Sequence, residues 1–221
     1  MTTLTTAPLA GLIDRLFHEA DQVSWADNPA LATMADGDHT RLMQSKTEYR
    51  AFYGAMKDMP LPVSRETGAL LYMLTRSTHA RTIVEFGTSF GISTLHLAAA
   101  LRDNGGGQLI TTEFEASKVA RAREHLTAGG VIDLVEIREG DALQTLAVDL
   151  PERIDLVLLD GAKSLYPDIL ALLESRLRPG ALVIADNADY SPEYMARVRA
   201  PASGYLSVPF SEDVELSMRL G

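Results

Sequence analysis

The sequence predicts an α/β fold with a mostly parallel sheet, helices on both faces and a helical N-terminal extension. Short, nearly continuous apolar segments alternate with segments whose apolar residues recur at helical spacing, which is typical of βαβ units. Near the C-terminus, apolar and polar residues alternate from Val214 to Leu220, which indicates a half-buried strand. We pair this strand with one near Tyr205–Phe210, as an antiparallel edge of the sheet.

The regular alternation begins after Pro60 and Pro62, which interrupt the chain. Ser64 is placed to cap a first helix that runs to about Ser77. Strands are then predicted over 81–86, 108–113, 134–138, 155–160 and 181–186, and helices over 92–102, 116–128, 141–147 and 166–177.

Residues 1–60 lie outside this alternation. Apolar residues at helical spacing over 9–17 predict one helix, and a second is predicted over about 45–56. We expect this segment to be a lid or arm that belongs to the same domain as residues 61–221.

Composition limits the classes of function. A chain of 221 residues with 46% hydrophobic residues can bury a sizeable core. No apolar segment approaches about 18 residues and no signal-peptide pattern opens the chain, so we expect a soluble, cytoplasmic protein without a membrane partner. The absence of cysteine excludes disulfides and thiolate catalysis. The net charge of −10, without clustered Lys or Arg, argues against a nucleic-acid partner and suits a cationic ligand or a metal, although solubility alone also explains it.

The loop from Gly87 to Gly91 is the first candidate binding element. Two glycines four residues apart allow a tight turn and a close approach of the backbone, and the following helix offers unpaired N–H groups to a carboxylate or phosphate. The dinucleotide fingerprint G-x-G-x-x-G is not met, because Ser89 stands in place of its middle glycine. An ordinary turn from strand to helix is the alternative for these residues alone.

Acidic residues stand at the ends of the predicted strands, at the edge where a parallel sheet binds ligands. They are Glu85, Glu113, Asp141, Asp160 and Asp186. Glu113 is placed to accept both hydroxyls of a ribose that lies over the glycine loop, with a solvated helix cap as the alternative. Asp141 precedes a short predicted helix and fits an N-cap as well as a binding role, and the two do not exclude each other.

The segment Asp160-Gly-Ala-Lys163 combines with Asp186-Asn187 on the next strand. Two carboxylates and an amide oxygen at adjacent strand tips are suitable ligands for Mg²⁺ or Ca²⁺. A divalent ion lowers the pKa of a substrate hydroxyl, and Lys163 could take the proton if the same charge depresses its own pKa. By itself, Lys163 would be an exposed loop lysine.

The chain resembles the cation-dependent class I S-adenosylmethionine O-methyltransferases of the catechol and caffeoyl-CoA type, over about residues 60–190. The resemblance lies in Glu85-Phe-Gly-Thr-Ser-Phe-Gly-Ile-Ser93, Glu113, Gly140-Asp141-Ala142, Asp160-Gly-Ala-Lys163 with Tyr166, and Asp186-Asn187. It implies a Rossmann-like, seven-stranded sheet, S-adenosylmethionine as the methyl donor, Mg²⁺ or another divalent cation, and a homodimer.

The resemblance also implies roles for individual residues. The methionine part of the cofactor would lie on the glycine loop, the ribose on Glu113, and the adenine beside Asp141. The implied cofactor-binding residues are Val63, Glu85, Gly87, Ser93, Glu113, Asp141, Ala142 and Asp160; the implied metal ligands are Asp160, Asp186 and Asn187; the implied general base is Lys163. Gly161-Ala162 departs from the acid or aromatic residue that many relatives have there, so the wall beside the substrate is expected to be changed or missing.

The expected reaction is methyl transfer to a hydroxyl of a small acceptor, catechol-like or a natural product. Trp25, Phe52, Tyr53 and Met56 either line an aromatic acceptor pocket or form core and dimer contacts.

Three alternatives stay open. One is a metal-independent N- or O-methyltransferase, in which Asp160 and Asp186 only shape the pocket. Another is a nucleotide-cofactor oxidoreductase, against which Ser89 and the missing acid about 20 residues beyond Gly87 argue. The third is a cofactor-binding protein without turnover, for which Lys163 would have no use.

Overall fold

The computed structural model contains a seven-stranded sheet, which confirms the predicted fold class. It describes residues 1–24, 26, 28–32, 34–35, 37–211 and 213–221. The strands are β1 (Thr82–Phe86), β2 (Gln108–Glu113), β3 (Val135–Glu139), β4 (Ile154–Leu159), β5 (Leu177–Ala185), β6 (Tyr205–Phe210) and β7 (Val214–Arg219). The α-helices are α1 (Leu9–Asp21), α2 (Pro29–Ala32), α3 (Asp38–Met43), α4 (Tyr49–Gly54), α5 (Arg65–Ser77), α6 (Ile92–Asp103), α7 (Ala116–Ala128), α8 (Ala142–Thr145), α9 (Tyr166–Leu173) and α10 (Pro192–Arg199).

The strand order is β3-β2-β1-β4-β5-β7-β6. Strands β1 to β5 pair in parallel, and β7 runs antiparallel between β5 and β6. The predicted pairing of the last two strands is therefore confirmed, but β6 rather than β7 forms the edge. The chain reverses its direction of travel across the sheet at β1, so a crevice opens beyond the carboxyl ends of β1 and β4, where ligands bind in this architecture.

Most predicted strand boundaries agree with the structure to within a residue or two, and β5 is the exception among the strands. Three helices differ by about four residues at one end, since α1 ends at Asp21, α4 begins at Tyr49 and α9 ends at Leu173.

Strand β5 begins at Leu177, although Pro179 and Gly180 indicated a loop up to residue 180. Leu177 pairs with Ile154, and the register then shifts before Leu182 pairs with Leu156. This irregularity accommodates Pro179 and Gly180 within the strand. The spacing of apolar residues and the strand propensity of the sequence did not predict it.

The core has two layers, one on each face of the sheet. Alternate strand residues such as Ile83 and Val84 enter opposite layers, because successive side chains of a strand point to opposite faces. Helices α1, α5, α6 and α7 cover one face, and α8, α9 and α10 cover the other. The sheet is thus buried on both sides, as its apolar strands predict.

The N-terminal segment contributes to both the core and the crevice. Helix α1 buries Leu9, Leu12, Ile13, Leu16 and Phe17 in the same core layer as α6. Farther along, Leu31, Met43, Phe52, Met56 and Met59 form a third apolar cluster. The division of the chain at residue 60 stays a prediction. Within the described residues, no helix has the length and apolar character needed to span a bilayer.

Candidate active site

A cavity of about 340 Å³ lies at the carboxyl edge of the sheet, where β1 and β4 end. Its wall combines the glycine loop, the acidic strand ends and part of the N-terminal segment. Of the predicted site residues, the structure places Gly87, Glu113, Asp141, Ala142, Asp160, Lys163, Asp186 and Asn187 in this wall. Val63, Glu85 and Ser93, which the structure also describes, are buried and do not line the cavity.

The glycine loop is held in a fixed shape by its neighbours. Gly87 has a φ of 105°, and a Cβ there would meet the backbone of Asp160 at 2.6 Å, so glycine allows β1 and β4 to end side by side. Gly91 has a φ of 86° and caps α6. The N–H groups of Gly87 and Thr88 both donate to the carbonyl of Thr112 on β2. The loop therefore presents its backbone to the cavity without having to rearrange.

Glu113 is hydrogen-bonded to this loop. Its carboxylate accepts hydrogen bonds from the backbone N–H of Ser89, at 2.9 Å, and of Glu115, at 3.0 Å. Burial raises the pKa of Glu113 above its ordinary value, although these bonds and Lys118 oppose the change. The carboxylate thus lies at the cavity wall with acceptor capacity left for hydroxyl groups.

Lys118 is a cavity residue that the sequence analysis missed. It is buried on α7, and its Nζ donates to the Ser89 Oγ at 3.2 Å. Burial lowers the pKa of Lys118, against the attraction of Glu113 and Glu115. Lys118 lies on the buried face of α7, four residues before the buried Ala122. Lysine is rarely buried, so its occurrence among the apolar residues of a helix was a signal in the sequence that could have indicated a binding site.

Glu85 and Ser93 form a buried group on the far side of the loop. Glu85 accepts hydrogen bonds from the Ser93 Oγ at 2.5 Å and the Thr94 Oγ1 at 2.6 Å, so both its carboxylate oxygens bond to α6. Burial raises the pKa of Glu85 to about 7, although the hydroxyl groups oppose this. These hydrogen bonds join β1 to α6 and fix the loop between them.

Asp141 caps α8 and also contacts the N-terminal segment. Its Oδ1 accepts a hydrogen bond from the N–H of Leu143 at 3.0 Å, and its Oδ2 lies 2.6 Å from the guanidinium of Arg50. The capping alternative is therefore seen in the structure, in a residue that also lines the cavity. Sequence reasoning missed Arg50, since no local pattern links it to a residue 91 positions later.

Asp160, Lys163, Asp186 and Asn187 meet at the ends of β4 and β5. The Nζ of Lys163 lies 2.7 Å from the Asp160 Oδ1, and Lys163 is almost fully buried. Burial and the charge of Asp160 raise the pKa of Asp186 to about 8. Burial opposes the charge of Lys163, but Asp160 and weaker neighbours raise the pKa of Lys163 well above its ordinary value. Lys163 is therefore a buried cation here, and not the exposed loop lysine of the alternative interpretation.

The donor set fits a divalent cation. Among the described residues, no cluster of three or more His, Cys, Asp and Glu side chains is arranged for metal binding. The set instead contains two carboxylates and the amide of Asn187, whose Nδ2 donates to the Asp213 Oδ2 at 3.0 Å and leaves its oxygen available. Because burial and the charge of Asp160 raise the pKa of Asp186, a divalent cation held here would favour the charged form of Asp186.

The apolar wall comes from the N-terminal segment. Phe52, Tyr53 and Met56 line the cavity, and Phe52 and Met56 also belong to the third apolar cluster. Their role in an acceptor pocket or in a dimer contact stays a prediction. Trp25, which was grouped with them, lies outside the described residues. At the surface, Lys46 of the same segment contacts Asp168 at 2.8 Å.

The departure at Gly161-Ala162 has a structural explanation. A Cβ on Gly161 would meet the ring of Phe86 at 2.5 Å. Phe86 lies at the end of β1, lines the cavity and packs edge to face against Tyr166 with ring centroids 6.3 Å apart. Phe86 fills the space that a side chain at 161 would need, so the cavity wall is changed here and not missing. The position of this wall beside the substrate stays a prediction.

Part of the chain is similar in sequence to known methyltransferases. Residues 84–188 match a family model described as a methyltransferase domain, which confirms the predicted methyltransferase at the level of the domain. A catechol O-methyltransferase of Niastella koreensis is 33% identical over 130 residues, which are 58% of this chain and 58% of that protein. The chain thus matches less than two thirds of that relative's length.

Solved structures share the architecture across nearly the whole chain. A methyltransferase from Geobacter sulfurreducens is 25% identical with a TM-score of 0.61, covering 90% of this chain and 98% of that chain. An O-methyltransferase from Bacillus cereus, solved in complex with SAH, is 23% identical with a TM-score of 0.64, covering 91% of this chain and 100% of that chain. The predicted resemblance to class I O-methyltransferases and the Rossmann-like fold are confirmed.

Proposed function

We propose that this protein is an S-adenosylmethionine-dependent O-methyltransferase that acts on a small hydroxylated aromatic acceptor with the help of a divalent cation. The observation that carries the proposal is the meeting of Asp160, Lys163, Asp186 and Asn187 in one cavity with Glu113 and the glycine loop. The catechol O-methyltransferase relative and the SAH complex of the similar fold support the donor and the acceptor class.

The donor would lie across the ends of β1, β2 and β3. The backbone from Gly87 to Gly91 would contact its methionine part, and Glu113 would accept hydrogen bonds from the ribose hydroxyls. Asp141 and Ala142, on the same cavity wall, would border the adenine. We assign to Glu85 and Ser93 the role of supporting the loop, since their hydrogen bond joins β1 to α6 on either side of it. Val63 is buried outside the cavity lining, and its predicted role in cofactor binding stays a proposal.

The acceptor end contains the proton-handling groups. Asp160, Asp186 and Asn187 would hold the cation, which when bound lowers the pKa of an acceptor hydroxyl. Lys163, whose Nζ lies 2.7 Å from the Asp160 Oδ1, would accept the hydroxyl proton in its neutral form, and a cation held by Asp160 would favour that form by lowering the pKa of the lysine. The acceptor oxygen would then form a bond to the methyl carbon while the carbon–sulfur bond breaks and the sulfur keeps the electron pair.

Phe86, Ala162 and Leu165 form apolar parts of the wall near these groups. They would exclude water and keep the acceptor flat against the site, and such orientation supplies much of the rate enhancement of a direct transfer.

The test is calorimetric titration of metal-stripped protein, first with S-adenosylmethionine and then with Mg²⁺. We expect donor binding and a separate Mg²⁺ heat that Asp186→Asn abolishes. Asp168→Asn is the matched control, because Asp168 contacts Lys46 at the surface and does not line the cavity. Methyl transfer to 1,2-dihydroxybenzene should follow the Mg²⁺ heat in the same variants.

Other outcomes separate the alternatives. Donor binding with methyl transfer that survives chelation would favour the metal-independent methyltransferase, to which the Lys163–Asp160 ion pair is also suited. A protein that binds no donor would refute the methyltransferase proposal altogether.

A further inference from the structure

Lys118 is a buried lysine that takes no part in the proposed methyl transfer. Its side chain lies on the inner face of α7 and lines the cavity. Lysine is rarely buried without a partner of opposite charge, because removing an ammonium group from water is costly. A lysine at this place in the wall therefore indicates a negative charge that it compensates.

Ser89 joins Lys118 to Glu113. The Lys118 Nζ donates a hydrogen bond to the Ser89 Oγ at 3.2 Å, and the Ser89 N–H donates to the Glu113 Oε2 at 2.9 Å. The Ser89 hydroxyl in turn donates to the carbonyl of Pro60 at 2.5 Å. Ser89 has a φ of 46°, in the left-handed region that residues with a Cβ seldom adopt. These three hydrogen bonds hold Ser89 in that conformation, between the ammonium group and the carboxylate.

Glu113 is a buried carboxylate that depends on its surroundings to stay charged. Its hydrogen-bond donors from Ser89 and Glu115 are neutral backbone N–H groups. Residues 87–91 and 60–62 contain no titratable side chain. Burial raises the pKa of Glu113, and the charge of Lys118 opposes that rise. Without the lysine the carboxyl would take up a proton at a higher pH and lose the charge that strengthens its hydrogen bonds to hydroxyl groups.

The other charged groups that act on Lys118 are Glu115 before α7, Asp160 after β4 and Arg121 one turn along α7. Burial lowers the pKa of Lys118, and Glu113 and the two other acidic residues oppose this. Glu113 is the acidic residue among them that shares a hydrogen-bonded neighbour with the lysine. Lys118 and Glu113 therefore favour each other's charged form.

We propose that Lys118 is a positioning residue that keeps the Glu113 carboxylate charged and holds it, through Ser89, where it accepts the ribose hydroxyls of the donor. The inference rests on the proposed function and deepens it. Donor affinity falls as the pH drops through the pKa of Glu113 in the free protein. Loss of the Lys118 charge moves this fall to a higher pH.

The test is calorimetric titration of metal-stripped protein with S-adenosylmethionine at pH 7.5 and pH 5.5. Lys118→Met retains the length of the side chain and removes its charge. Between the two pH values the affinity of this variant should fall by about 3-fold more than that of the wild type, because a neighbouring charge changes the proton affinity of a buried carboxyl by about 10-fold.

Arg121→Met is the matched control. Arg121 is exposed on the same helix, with its guanidinium 4.7 Å from the centroid of the Phe90 ring, and it does not line the cavity. The variant loses one positive charge from α7, as Lys118→Met does, but loses it from solvent. Its donor affinity should show the pH dependence of the wild type.

Two further measurements isolate the carboxyl of Glu113. In a Glu113→Gln background no carboxyl titrates at this position, so Lys118→Met should leave the pH dependence of donor binding unchanged there. Carbon NMR of protein labelled at the glutamate carboxyl groups follows the same group without any donor. The Glu113 signal, identified by its loss in Glu113→Gln, should titrate at a higher pH in Lys118→Met than in the wild type.

Several results would overturn the inference. Equal weakening of donor binding by Lys118→Met at both pH values, or a pH dependence identical to that of the wild type, would show that the lysine does not keep Glu113 charged. A Glu113 signal that titrates at the same pH in both proteins would show the same. A wild-type protein that binds no S-adenosylmethionine would refute the proposed function, and the Glu113 signal would still decide whether Lys118 holds this carboxylate in its charged form.

Discussion

Replacing Glu85 with Gln should make the protein more stable at neutral pH. Glu85 is fully buried, and its pKa is about 7 in the folded protein against an ordinary value of 4.5. At about 1.4 kcal/mol per pKa unit, this difference corresponds to about 3 kcal/mol. Gln has the same shape as Glu without the charge. One of the Ser93 and Thr94 hydroxyls can donate to its amide oxygen while the other accepts from its NH₂ group.

The effect of Glu85 on stability has a defined direction with pH. Below pH 4.5 the carboxyl is protonated in both the folded and the unfolded chain, so it carries no penalty. As the pH rises from 4.5 towards 7, the unfolded chain releases the proton first, and the folded state loses stability. Above pH 7 both states are ionised, and the full cost of the buried charge remains. The advantage of Glu85→Gln over the wild type should therefore grow from near zero at pH 4.5 to about 3 kcal/mol at pH 8.

The assay is urea unfolding of both proteins at several pH values between 4.5 and 8. Subtracting the two free energies of unfolding cancels the titration of the remaining groups. Glu124→Gln is the control, because Glu124 is exposed on α7 and should give no pH-dependent difference. A difference that stays flat with pH, or a variant less stable than the wild type at pH 8, would refute the reasoning about the buried charge.

The remaining predictions concern the cavity wall. Glu113→Gln should weaken the binding of S-adenosylmethionine by about 10-fold or more in a calorimetric titration, because a charged hydrogen-bond acceptor is lost. Unchanged affinity would show that Glu113 does not bind the ribose. Gly161→Ala should destabilise the protein by about 1–3 kcal/mol through the clash with the Phe86 ring, and combination with Phe86→Leu should recover part of the thermal midpoint; no recovery would locate the strain elsewhere. Arg50→Met should change stability by less than about 1 kcal/mol, since the Arg50 side chain is 54% exposed in its ion pair with Asp141; a larger loss would show that this contact anchors the segment.

The sequence predicted the candidate site residues best where they lie at the carboxyl ends of parallel strands. The alternation of apolar segments located β1 to β4 closely, and parallel strands bring their carboxyl ends to one edge. Glu113, Asp160 and Asp186 could therefore be placed together before any coordinates were known. Glu85 shows the limit of this reasoning, because a residue one position before the strand end points to the opposite face of the sheet, towards α6.

Contacts between distant parts of the chain could not be predicted in the same way. Arg50 contacts Asp141 because α4 borders the cavity, and no periodicity in residues 1–60 encodes that path. Lys118 was missed for another reason, since a single lysine on a helical face is usually solvated. The position of β7 between β5 and β6 depends on which of the last two strands pairs with the edge of β5, and local sequence patterns do not describe that choice.

The place of β7 also bears on how the protein is made. The ribosome produces β7 after β5 and β6, the two strands between which it must insert. Until then β5 has an open edge, and the contacts from Asp213 to Asn187 and Ala188 do not yet exist. A nascent or truncated chain without β7 would thus expose the unpaired edge of β5 and lack the contacts of Asp213 that hold the segment after β5 at the cavity. The sheet and this part of the cavity wall therefore depend on the last strand to be synthesised.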